Sequence, residues 1–134
     1  MPYSITWEPP FGVHLHLHGV LTAPEFVSAV REVHSSPAYD TLRYVIDDLS
    51  ELDTFDVPRA IVLEVFAASI GAGMVNPNRK IYVVTTNELV LFYLRMVGET
   101  YAGALPIHPY PALEEARKAI AIASEESHRI FRQQ

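Results

Sequence analysis

Apolar and polar residues alternate from Tyr3 to Glu8, with Tyr3, Ile5 and Trp7 set against Ser4, Thr6 and Glu8. The alternation resumes from Val13 to His18, where Val13, Leu15 and Leu17 are set against His14, His16 and His18. A period of two marks strands with one dry face and one wet face. Pro9-Pro10-Phe11-Gly12 lies between them, so the pattern predicts a hairpin. If the dry faces coincide, residues whose numbers have an even sum lie opposite one another, for example Trp7 with Val13 and Thr6 with His14. The three histidines then share one polar face with Ser4, Thr6 and Glu8.

Further on the period lengthens. Thr22-Ala23-Pro24-Glu25 is a capping box with proline in the first turn, and Phe26, Val30 and Val33 follow at helical spacing until Ser35-Ser36-Pro37. Arg43 to Leu49 reads as a buried strand, and Ser50 to Asp56 as an acidic loop. Asp56, with Pro58 close behind, predicts the N-cap of a helix through Ile61, Val62, Val65, Phe66 and Ile70 that frays at Gly71 and Gly73. Lys80 to Thr85 is a second buried strand. Thr85-x-x-Glu88 predicts a second capping box, opening a helix through Leu91, Leu94 and Val97. Leu105 to His108 is a short strand. From Ala112 onward, Leu113, Ala116, Ile120, Ala123 and Ser127 keep a helical period. The order ββαβαβαβα predicts an α/β fold with mostly parallel pairing and right-handed crossovers.

Composition narrows this picture. A chain of 134 residues that is 49% hydrophobic can build one core, so one domain is expected over residues 1–134. No cysteine is present, which excludes disulfides, thiolate metal sites and cysteine nucleophiles. The net charge is −6 and the ten Lys and Arg are scattered, which argues against nucleic acid as a partner. The start, MPYSITWEPP, does not read as a signal peptide. The longest apolar stretch, Ala60 to Val75, is interrupted by Glu64 and is shorter than the ~20 residues of a membrane span. A soluble, cytoplasmic protein with no membrane span is expected.

The motifs in their order resemble a known family. "HLHGVLTAPEF" (16–26) is similar to the strand-to-helix passage of STAS and SpoIIAA-like domains, the anti-sigma-factor antagonist superfamily. "YVIDDLSELDTFDV" (44–57) resembles their aspartate-bearing strand and loop. "KIYVVTTNELVLFYLRMVGE" (80–99) resembles their late strand and helix, and "PIHPYPALEEARKAI" (106–120) their terminal helix. The resemblance covers Val13 to Ile122. It implies a SpoIIAA-like mixed sheet of about five strands with helices mainly on one face. It also implies a role in binding a partner rather than catalysis. Regulated members carry a phosphorylatable Ser or Thr just after the loop aspartate. With Asp56 in that place, the next residues here are Val57 and Pro58, which accept no phosphate.

Four features have candidate chemistry. His14, His16 and His18 stand about 7 Å apart along one strand face, where two neighbours could share a metal and Glu8 could supply a further ligand. The plainer reading is a wet sheet face, so no metal is expected. Asp47, Asp48, Glu51, Asp53 and Asp56 gather near the carboxyl end of a parallel strand, where open α/β sheets bind ligands. No phosphate loop or phosphatase motif accompanies them. Ser50 lacks the G-x-S-x-G elbow of a triad nucleophile. The helix from Val57 to Met74 is apolar almost all round, which suits a core, a homodimer interface or an apolar pocket.

The resulting expectation is a non-enzymatic regulatory or protein-interaction domain without the phosphorylated serine, without cofactor, and homodimeric. Its partner surface is expected on Ser50, Glu51, Asp53, Thr54, Asp56, Thr85, Thr86 and Asn87. Two alternatives stand beside it. One is a carrier of a small apolar or lipid-like ligand, and the other is a metal-dependent enzyme using the histidine face or the acidic loop.

Overall fold

The computed structural model describes residues 3–101 and 107–132. Strand β1 (Tyr3–Glu8) and strand β2 (Gly12–Thr22) form the expected hairpin, with Trp7 opposite Val13 and Thr6 opposite His14. Helix α1 (Ala23–Ser35) follows, then a short 3-10 turn over Pro37–Thr41 that the sequence pattern did not suggest. The chain continues as β3 (Tyr44–Asp56), α2 (Arg59–Val75), β4 (Lys80–Val84), α3 (Glu88–Tyr101), β5 (Ile107–Tyr110) and α4 (Leu113–Arg132). Residues 105–106, the start of the expected last strand, lie outside the described residues.

The sheet order is β1-β2-β3-β4-β5, antiparallel at the hairpin and parallel thereafter. Every crossover steps to the next strand in one direction, so right-handedness places α1, α2 and α3 on one face. Their core is built on Val13, Leu15 and Leu17 of β2, Val45 of β3 and Val83 of β4. Helix α4 follows the last strand and closes over the opposite face. There Ala116 packs with Ile46, Tyr82 and Val84. It covers the β3–β5 side of that face and leaves the histidine side open.

Three terminal assignments are corrected. Strand β3 does not stop at Leu49 but runs on to Asp56, because Leu52 to Asp56 pair in parallel with Gly19 to Thr22 of β2. Asp56 therefore ends a strand and does not cap α2, which follows Pro58 with no side-chain cap. At α3 the cap is Asn87, whose Oδ1 accepts the Val90 N–H at 3.1 Å. Thr85 is buried, and its hydroxyl oxygen accepts the Asn87 N–H at 3.0 Å. Glu25 does accept the Thr22 N–H at 3.1 Å, as the first capping box requires.

Helix α2 is buried on one side only, through Val62, Val65 and Ser69. Its outer face is apolar by residue count, but Ala67, Ala68 and Gly71 offer little surface and stand exposed with Met74. One glycine is needed for close approach. A Cβ at Gly12 would sit 1.9 Å from Tyr44 Cζ, because the Tyr44 ring lies across the strand there. Gly19 has φ +68° between two register shifts of β2, a backbone state that glycine adopts freely.

Candidate functional site

The open half of the sheet carries a polar array. His14 Nε2 donates to Asp48 Oδ2 at 2.8 Å, and the Ser50 hydroxyl donates to Asp48 Oδ1 at 2.6 Å. Burial of Asp48 works against its ionisation. The Ser50 hydroxyl and N–H, together with His14, outweigh burial and hold the carboxyl below its ordinary range. His16 Nε2 is 3.5 Å from Glu51 Oε2. The His16 and His18 rings lie 5.2 Å apart and tilted. Among the described residues no three His, Asp or Glu side chains converge as metal ligands. Ser50 donates to the Asp48 carboxylate and not to an imidazole, so the serine–histidine contact of a triad is not formed.

Beside this array Glu8 receives Arg117 in a two-pronged contact of 3.0 and 2.7 Å, and the Tyr44 hydroxyl at 2.6 Å. The Arg117 hydrogen bonds, opposed by burial and assisted by Tyr44, hold Glu8 below the ordinary carboxylate range. Burial, with Glu8 beside it, pushes the Tyr44 phenol up to about 12. The contact fastens α4 to the hairpin across 109 positions of sequence, which no local pattern announces.

The acidic segment is a ribbon rather than a loop. Beyond Asp48, β3 no longer pairs with β4 and continues with β2 alone. Its inner side is apolar, with the Phe55 ring against Phe26 and Tyr93 at 5.6 and 6.0 Å. Ser50, Glu51, Asp53, Thr54 and Asp56 are exposed along it. At ~3.3 Å per residue, Asp56 stands roughly 20 Å along the strand from Ser50. Thr86 and Asn87 lie at the Ser50 end, just after the pairing of Asp48 with Val84. Thr85 is withdrawn from the surface and positions Asn87. The predicted residues thus form an elongated strip and not one compact site. Asp47 leaves the cluster altogether.

Asp47 faces the helices and lines a cavity of about 50 Å³ with His34, Arg79, Ser69, Phe66 and Val30. Burial pushes its carboxyl up to about 7, against the pull of Arg79. Burial and Arg79 together bring His34 down to about 4. Arg79 is buried and donates from Nε to the Tyr39 hydroxyl and from Nη2 to the Ser69 carbonyl. Tyr39 in turn donates to the Ala72 carbonyl at 2.8 Å. These bonds tie the last turns of α2 to Arg79 and Tyr39, and the Ala72 carbonyl also accepts the Asn76 N–H at 3.1 Å. Sequence reasoning missed this group. Its signals were an aspartate inside a buried-strand pattern and an arginine just before β4. The cavity holds a few waters at most, being about a third of the ~150 Å³ that admits benzene.

The strand order, the antiparallel first pair and the helix placement together decide the comparison with solved structures. The chain has the SpoIIAA-like fold. It is similar to the anti-sigma factor antagonist SpoIIAA in its unphosphorylated form, with 8% identity and a TM-score of 0.61 over 89% of this chain and 97% of that one. It is also similar to an uncharacterized protein of the DUF3478 family with a SpoIIAA-like fold from Shewanella loihica PV-4. That likeness has 12% identity and a TM-score of 0.56 over 87% of this chain and 90% of that one. No protein-family model matches the sequence, and no curated protein matches it. The SpoIIAA-like sheet accounts for the expected α/β class and for helices mainly on one face. No helix among the described residues is long and apolar enough to cross a membrane.

Proposed function

We propose that this SpoIIAA-like domain, spanning residues 1–134, is a non-enzymatic regulatory and protein-interaction domain of the STAS type. It acts in the cytoplasm, as a homodimer, without cofactor or metal. The observation that carries the reading is the β2–β3 ribbon. It continues past the rest of the sheet with Glu51, Asp53 and Asp56 exposed, and it is anchored to the core by Phe55. Ser50, Glu51, Asp53, Thr54 and Asp56 then form the partner strip, with Thr86 and Asn87 at its base and Thr85 as the residue that orients Asn87. A basic or neutral partner surface suits this strip. No phosphorylation switch operates after the aspartate. Val57 is buried, Pro58 has no hydroxyl, and the Ser50 hydroxyl is bonded to Asp48.

The test is charge reversal. Glu51→Lys with Asp53→Lys leaves the melting temperature nearly unchanged, since exposed substitutions usually shift stability by about 0.5 kcal/mol or less. Capture of the natural partner from native lysate weakens, and the difference shrinks at high salt. Equal recovery by wild type and variant at low salt places the docking face elsewhere.

A further inference from the structure

Strand β1 is an edge of the sheet and pairs only with β2, so the outward N–H and C=O groups of its six residues have no strand partner among the described residues. Edge strands usually carry a lysine, an internal proline or a bulge that keeps other strands away. The sequence YSITWE has none of these, and its register with β2 is unbroken. Its one charge, Glu8, is engaged by Arg117 and Tyr44. On the helix side an open groove of about 530 Å³ runs along the edge, lined by Tyr3, Ile5 and Trp7 of β1 and by Glu32 and Ser35 of α1. The three apolar side chains are only half-buried there.

We infer that β1 pairs antiparallel with β1 of a second copy of this chain, about a two-fold axis through Ile5. The inference rests on the homodimer proposed above and says where that dimer forms. The register follows from the side-chain period. A two-fold centred on Ile5 sets Tyr3 opposite Trp7, Ser4 opposite Thr6 and Ile5 opposite itself. Apolar then meets apolar on the helix side, and hydroxyl meets hydroxyl on the other. A two-fold centred between residues sets Tyr3 against Glu8 and mixes the faces. Charge agrees with this choice. Glu32 lines the groove and its neighbour Arg31 is exposed on α1, and neither makes an ion pair among the described residues. The two-fold runs the two α1 helices antiparallel, which brings the Arg31–Glu32 pair of one copy toward the same pair of the other, with opposite charges available to meet. The aromatic side chains of each β1 fill the groove of the other copy, and the two sheets become one.

Ser4 and Thr6 are exposed, so both can be changed without touching the core. Sedimentation velocity over a concentration series is measured on the untagged full chain as wild type, Ser4→Lys/Thr6→Lys and Ser4→Glu/Thr6→Lys, with melting temperatures matched. Wild type sediments as a dimer. The double lysine variant places like charges opposite each other twice, and its dimer dissociation constant rises about tenfold or more. In the Ser4→Glu/Thr6→Lys variant each introduced glutamate faces an introduced lysine, and the dimer returns. Equal dimerisation by all three overturns the β1 junction while leaving a homodimer through another face. A monomeric wild type overturns both the junction and the homodimer, and leaves the edge free for an extended peptide.

Discussion

Asp47 and Asp48 are neighbours in β3 whose carboxyl groups lie on opposite faces of the sheet. Asp47 lines the cavity beneath α1 and α2, and Asp48 receives His14 and Ser50 on the open side. Successive strand residues must diverge in this way. The consequence is chemical. Asp47 makes no hydrogen bond among the described residues, and burial pushes it up to about 7. Asp48 is less accessible still, but its hydrogen bonds hold it down.

The first prediction concerns pH. Asp47 rises from 3.8 to about 7 on folding, so the unfolded chain binds fewer protons in that range and the Asp47 contribution to stability falls as pH rises. His34 falls from 6.5 to about 4, so the unfolded chain binds more protons and its contribution rises with pH. Between pH 4 and 6.5 the two slopes offset each other. Single substitutions separate them. In Asp47→Asn the urea midpoint climbs more steeply with pH than in wild type, and in His34→Gln it climbs less or declines. Glu8 and Asp48, both depressed, add the same background to each variant. Parallel pH profiles for the two variants would refute the assignment.

A second prediction tests the crossing of Tyr44 over Gly12. An alanine there forces the Tyr44 ring, held to Glu8 at 2.6 Å, out of place. Gly12→Ala is expected to destabilise by about 2 kcal/mol, within the range of overpacking. Tyr44→Ala also destabilises, by losing its own contacts. The double variant loses less than the sum, because the clash is gone once the ring is removed. Urea unfolding of the four proteins measures this, and strict additivity would count against the contact.

Metal binding at the histidine strand supplies the third prediction. His14 is engaged by Asp48, and the remaining pair lacks a converging third ligand among the described residues. Calorimetric titration of untagged protein with zinc or nickel at neutral pH should give no submicromolar site. A tight site that disappears in a His14→Ala/His16→Ala double variant would show that the strand is a metal centre after all.

The hairpin and the sharing of its faces were legible. Alternation requires an even sum between facing residues, and the fold selects the register that sets Trp7 opposite Val13. The first capping box was legible too, since Thr22 and Glu25 act within one turn. The acidic segment was misread because exposed charges along a strand look like a loop when the partner is unknown. Pairing with Gly19 to Thr22 turned Ser50 to Asp56 into a ribbon. The second capping box was misread for a related reason: Thr85 is drawn into the core, and Asn87 takes the Val90 N–H in its place.

The sequence by itself determined the order of elements, the polar character of the histidine face and the parallel class of the sheet. These depend on periodicity and capping, which act over a few residues. Tertiary structure alone decided that α4 covers half of the histidine-bearing face, and that Arg117 reaches Glu8 across 109 positions. It also decided that Asp47 meets His34 and Arg79 in a cavity while its neighbour meets His14. Such meetings depend on how distant elements stack, and no local pattern encodes the distance between two side chains that only the folded sheet brings together.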